Sequence, residues 1–177
     1  MAHLLAFAGS NSSSSINYSL IQHTSSLISS HKVQLVNMTN YPFPMYSEDY
    51  ERENGFSNSL IEFNQDIEDA AGIIISVNEH NGGVSAYFKN LMDWLSRLDR
   101  TFLKDKKVFL LATSPGKRGA ISALEETKNR FARSGAEIVA SFSLPSFGEN
   151  FDKANGITSK EHAKTHQQAL DHFLAKI

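Results

Sequence analysis

Three polar, glycine-containing stretches in this 177-residue chain each directly follow a short apolar run, and their residue types define the chemistry open to them. The first is Gly9-Ser10-Asn11-Ser12-Ser13-Ser14-Ser15-Ile16-Asn17. It gathers serine hydroxyls and the unpaired N–H groups of a helix start around one point, where the helix dipole adds partial positive charge and favours an anion. Gly9 lets the backbone turn sharply and come close to a ligand. The stretch lacks the Gly-x-Gly-x-x-Gly of dinucleotide sites and the Gly-x-x-x-x-Gly-Lys-Ser/Thr of nucleoside triphosphate sites. A hydroxyl-rich cradle without lysine suits a terminal phosphomonoester. A plain polar loop ending in a serine or asparagine helix cap accounts for the same residues equally well. The second stretch, Asn78-Glu79-His80-Asn81-Gly82-Gly83, makes a loop whose backbone can approach a flat polar ring. In the third, Thr113-Ser114-Pro115-Gly116-Lys117-Arg118-Gly119, Pro115 and Gly116 fit a tight turn and Gly119 eases the start of the next helix.

The elements that must position these loops are legible as alternating periodicities. Five apolar runs read as strands: His3–Ala8, Lys32–Val36, Gly72–Val77, Lys107–Ala112 and Glu137–Ser141. Most are continuous rather than alternating, as expected for a parallel sheet covered on both faces. Helical faces lie between them: Ile16, Leu20, Thr24, Leu27 and Ile28; Leu60, Phe63, Ile67 and Ala70; Tyr87, Leu91, Trp94, Leu95 and Leu98; Ala120, Leu124, Thr127 and Phe131. Ser59 with Glu62 and Thr158 with Glu161 have capping-box spacing, the latter opening a final helix over Ser159–Ala175 that turns Ala169, Leu170, Phe173 and Leu174 inward. Gly135 falls where a left-handed helix end is wanted. The alternation predicts one α/β domain over residues 1–177, a doubly wound five-stranded parallel sheet with right-handed crossovers and the flavodoxin-like order 2-1-3-4-5. In such a sheet all three loops fall at the carboxyl edge, where one planar ligand with a phosphate tail would bind. The long connections Asn37–Asn58 and Leu144–Thr158 are expected to be lids, interface elements or mobile segments.

These residues carry a resemblance. The chain resembles the NAD(P)H-dependent FMN reductase family, with its related quinone, azo-dye and chromate reductases. The likeness rests on Gly9-Ser10, Ser15 and Asn17; on Pro44-Met45-Tyr46 and Asp49; on Glu79-His80-Asn81-Gly82 with Lys89-Asn90, Asp93-Trp94 and Ser96-Arg97; and on Ser114-Pro115-Gly116 with Gly119. It runs from about residue 3 to 142, and the segment from Glu79 to Arg97 is its most specific part. The resemblance implies an FMN enzyme with NADPH or NADH as co-substrate and a small acceptor: a quinone, flavin, azo compound or metal ion. It implies that Ser10, Ser15 and Asn17 hold the FMN phosphate, with Ser12 and Ile16 beside them. Glu79, His80, Asn81 and Gly82 would line the isoalloxazine mainly through main-chain groups, and Ser114, Pro115, Gly116 and Gly119 would close its other side. The helix bearing Lys89, Asp93 and Trp94 would enter a homodimer or homotetramer interface. With flavin N5 exchanging hydride, no side chain need act as acid or base, and ping-pong kinetics follow. Relatives often carry arginine at the position of Ser12, tyrosine at His80 and proline at Asn78, and Ser85-Ala86-Tyr87-Phe88 replaces a more usual Pro-Gly-x-Leu. The alternative is a flavodoxin-like FMN electron carrier without NAD(P)H turnover.

Composition bounds the rest. The net charge of −2 argues against a nucleic-acid partner, and the absence of cysteine excludes disulfides, thiolate metal sites and cysteine nucleophiles. The N-terminus has no basic segment followed by a long apolar stretch, so neither a secretory signal nor membrane insertion is expected, and the cytoplasm is the default. His162 and His166 are four apart, but no second ligand pair accompanies them, so no metal is expected. His80 beside a flavin can titrate near neutral pH, which would make reactivity change between about pH 5.5 and 7.5. Lys89, Asp93 and Arg97 read either as a solvated ion-pair row or as interface residues, and Trp94 as packing.

Overall fold

The computed structural model describes all residues, Met1–Ile177. Its sheet is formed by β1 (His3–Ala8), β2 (Lys32–Val36), β3 (Gly72–Val77), β4 (Lys107–Thr113) and β5 (Glu137–Leu144). All neighbours are parallel and the order is β2-β1-β3-β4-β5 in this numbering. Helices α1 (Ile16–Ser26), α2 (Glu48–Asn54), α3 (Asn58–Asp69), α4 (Ala86–Leu98), α5 (Ile121–Arg133), α6 (Phe147–Asn150) and α7 (Lys160–Leu174) join and cover the strands. The expected architecture is therefore the observed one, with β4 reaching Thr113 and β5 reaching Leu144. β3 is buried throughout, whereas the edge strand β2 is mostly half-exposed, because only interior strands are covered on both faces.

Period-two alternation divides the core. Leu5 and Phe7 of β1 pack with α3, α4 and α5; Leu4, Ala6 and Ala8 pack with α1 and α7. Ala8 is level with Ser76, and Ser76 with Leu111, so β1, β3 and β4 end together and their following loops stand side by side. The chain reverses its winding between β1 and β3, and that is where the ligand crevice of this fold opens.

Local details correct several expectations. Leu27 lies just past α1 and is 42% exposed, so it leaves the inner face shared by Leu20, Thr24 and Ile28. The cap of α3 is Ser57, whose hydroxyl accepts from Leu60 N–H, and the cap of α7 is Ser159, which accepts from His162 N–H. Ser59 therefore stands inside α3 and Thr158 outside α7, neither forms a capping box, and Glu161 instead faces the dipole in the first turn. Gly135, with φ +92°, ends α5 as expected. The long connections hold α2 and α6, and the first is pinned to α4: Trp94 Nε1 and Asn90 Nδ2 donate to Pro44 O at 2.8 and 2.9 Å, and Arg97 pairs with Glu51 at 2.8 Å. Lys89 pairs with Asp93, so Arg97 leaves the proposed helical row to serve the loop.

His166 lies between α1, α7 and the sheet with no exposed surface. Thr24 Oγ1 donates to Leu20 O at 2.8 Å and lies 2.9 Å from His166 Nε2, so that nitrogen carries the proton, and Nδ1 is buried without a partner. Burial, with His23 nearby, pushes its pKa down from 6.5 to about 4. Unfolded protein thus takes up this proton first. The associated stability is complete above pH 6.5 and drains away as pH falls toward 4, about 3 kcal/mol in all. The urea midpoint is expected to fall between pH 7.5 and 4.5, and His166→Leu to fall less over the same interval.

Candidate functional site

The site is assembled from the carboxyl ends of β1, β3 and β4. In the first loop the Ser15 hydroxyl caps α1 by accepting from Tyr18 N–H at 3.1 Å. Ile16 and Asn17 then begin the helix with N–H groups that meet no protein acceptor. Ser10 is nearly buried and its hydroxyl oxygen accepts from Ser12 N–H; Ser12 and Ser14 are exposed and bonded to each other. The loop thus combines serine hydroxyls, partly bonded among themselves, with two unpartnered N–H groups at a helix start.

Asn17 does something else with its side chain. It is 2% exposed, and its Nδ2 donates to Thr113 O at 3.1 Å while its Oδ1 accepts from Thr113 N–H at 3.0 Å and from Ser76 Oγ at 2.6 Å. The carboxamide stitches α1 to β3 and β4, which leaves the main-chain N–H of Asn17 without a protein partner. Gly9 also has a different reason from the expected one: a Cβ there would come within 2.8 Å of Phe88 Cδ2, so glycine is needed for close packing against α4. Ser85 joins the same two segments, its hydroxyl accepting from Phe88 N–H and donating to Gly9 O at 3.0 Å.

The stretch after β3 is more ordered than a loop. Glu79–His80 pairs antiparallel with Gly83–Val84 across Asn81 and Gly82, whose φ values of 53° and 78° make a tight hairpin. The Asn81-Gly82 dipeptide was the signal for it. Main-chain groups of this hairpin face solvent at Asn81 and Gly82, and a Cβ on Gly82 would touch nothing. The exposed His80 ring lies 3.2 Å from Asn78 Nδ2, and Asn78 Oδ1 is buried without a protein partner. The Glu79 side chain turns away and accepts from Ala123 N–H of α5 at 3.1 Å. Across the crevice, Ser114, Pro115 and Gly116 form an exposed turn. Ser146 N–H and Phe147 N–H hold it by donating to Gly116 O and Ser114 O. Gly119 closes that turn at φ +59°, where a Cβ would strike Ser143 Oγ and the Leu144 carbonyl carbon.

A cavity of about 720 Å³ adjoins the first loop. Ser12–Ser15 and Ile16 form one side; Phe147, Phe151 and Lys153 form the other, and Lys153 is its one permanently charged lining residue. It meets the serine end of the site but not the hairpin or the Ser114–Gly116 turn. The Phe151–Ile157 ribbon that carries Lys153 was not legible beforehand; Asp152, which accepts from the N–H groups of Ala154 and Asn155, is the residue that folds it.

Residues 2–149 match the NADPH-dependent FMN reductase family. The chain belongs to that family. FMN is thereby its cofactor and a nicotinamide nucleotide its reductant, and the donor set fits: a cluster of hydroxyls and free helix N–H groups for a phosphate, and open main chain at Asn81–Gly82 for a ring. The chain is 27% identical over 124 residues to an uncharacterized protein of Mycoplasma pneumoniae, covering 67% of this chain and 74% of that one. It is 36% identical over 73 residues to the quinone reductase of Escherichia coli K12, covering 41% of this chain and 39% of the relative. In fold it resembles the flavoenzyme NAD(P)H:(acceptor) oxidoreductase of Paracoccus denitrificans, with a TM-score of 0.80 at 22% identity over 99% and 96% of the two chains.

The buried Asn17 carboxamide makes a sharp expectation for the FMN reductase fold. Asn17→Ala strands Ser76 and Thr113 groups in the interior and should lower stability by about 2–4 kcal/mol in urea denaturation without flavin. Ser15→Ala removes only a cap and should cost about 1 kcal/mol.

Proposed function

We propose that the protein is an FMN-dependent NAD(P)H oxidoreductase that reduces a small acceptor of the quinone class, with free flavins, azo compounds and oxidised metal ions as further candidates. The observation that supports it is the juxtaposition, at one sheet edge, of a helix start with unpartnered N–H groups, the Asn81–Gly82 hairpin and the Ser114–Gly116 turn. The quinone reductase among its relatives favours that acceptor class.

Ser10, Ser12 and Ser15 supply hydroxyls to the phosphate, and Ile16 and Asn17 supply main-chain N–H groups, aided by the dipole of α1. Lys153 adds charge from the far wall of the cavity. Glu79, His80, Asn81 and Gly82 line one side of the ring through their backbone, and Ser114, Pro115, Gly116 and Gly119 shape the other. FMN held there would supply the redox chemistry between the nicotinamide nucleotide and the acceptor. The protein's own work is to fix the ring, leave one face open and admit two substrates to that face in turn, which gives ping-pong kinetics. No helix is long and apolar enough to cross a membrane. A cytoplasmic homodimer or homotetramer, with α4 at the interface, completes the proposal.

Anaerobic mixing of the FMN-loaded protein with NADH and NADPH separately tests this reading. Rapid bleaching near 450 nm is the expected result, and a flavin that binds but is not reduced would leave an electron carrier.

A further inference from the structure

Two carboxylates join the flavin-facing hairpin to α5 in opposite directions. Helix α5 starts at Ala120, held at φ +63° with no side chain able to cap it. Glu79, arriving from the hairpin, takes the capping role: its Oε2 accepts from Ala123 N–H, the third helical residue, at 3.1 Å. Glu126, one turn further along α5, returns the favour to the hairpin, its Oε2 accepting from Val84 N–H at 3.2 Å. Arg130 grips the other oxygen of Glu126 through Nη2 and Nε at 2.7 and 3.0 Å, which aims Oε2 at the hairpin and holds the carboxyl below its ordinary pKa.

The placement gives these bonds a meaning beyond stability. α5 is the direct continuation of the Ser114–Gly119 turn, the opposite wall of the crevice. Neither wall belongs to the five-stranded sheet, and the two glutamate bonds are the side-chain hydrogen bonds that tie the hairpin to α5. We propose that Glu79 and Glu126 form a reciprocal clamp that sets the spacing of the two walls that hold the flavin ring, with both glutamates as positioning residues. The inference rests on the ring-binding role given to these walls above.

The test uses the full-length protein with and without flavin, and the variants Glu79→Ala, Glu79→Gln and Glu126→Ala. Glu79→Ala should weaken FMN and riboflavin alike by about tenfold in flavin-fluorescence titrations, leaving their affinity ratio unchanged, because the ring and not the phosphate loses its seat. Glu79→Gln keeps an acceptor oxygen and should stay near the parent. In hydrogen exchange of the flavin-free protein, residues 79–84 and the first turn of α5 should open together in both alanine variants. Parental ring affinity in Glu79→Ala, or faster exchange confined to α5, overturns the clamp. A parent that binds no flavin would overturn the functional reading instead, while the exchange result on the flavin-free protein still decides the clamp.

Discussion

The carboxamide of Asn17 is the fastening on which the carboxyl edge of this molecule depends. An amide placed in the interior must have its hydrogen bonds met there, since an unpaired one costs several times what a satisfied one contributes. Here Ser76 and Thr113 meet them from two different strands. The first turn of α1 is therefore held over β3 and β4 rather than merely lying against β1. With that turn fixed, the N–H groups of Ile16 and Asn17 point to one defined place, and Thr113 begins the opposite wall from a fixed start.

The same logic continues around the edge. Each loop is bonded to its neighbour rather than left to its own turn chemistry: Ser85 to Gly9, Ser143 to Gly119, Phe147 to Ser114. The groups left over after this cross-bonding include serine hydroxyls, helix-start N–H groups and exposed glycine backbone, with Lys117 and Arg118 as the exposed charges of the third loop. Oriented dipoles of that kind suit an anion, and redox chemistry in this family belongs to its cofactor.

How much of this was legible beforehand depended on the range of the interactions. Strands β1 to β3 have the limits their apolar runs indicate; for β1 and β3 the reason is that a strand covered on both faces must be apolar throughout. The serine stretch was legible as a helix start, because such a start has the same unpaired donors wherever it occurs. Asn17 was not separable from its serine neighbours, since its partners lie 59 and 96 residues away. Glu79 was assigned to the ring by position, yet its side chain is committed to α5, which no local pattern encodes. The displaced caps of α3 and α7 have a simpler origin: adjacent serines and threonines compete for one role, and the tertiary position of the helix chooses among them. α2 was missed because a short polar helix has no buried face, and its place is set by Arg97 and Trp94 instead.

The contact between Gly9 and Phe88 has an evolutionary consequence. The floor of the phosphate loop and the first turn of α4 share one small volume, which an aromatic ring fills from one side and a missing side chain concedes on the other. While phenylalanine stands at position 88, position 9 has no room for a side chain. A lineage that acquired a side chain at position 9 would first have to shrink position 88, whereas position 88 is free to become smaller with glycine kept at 9.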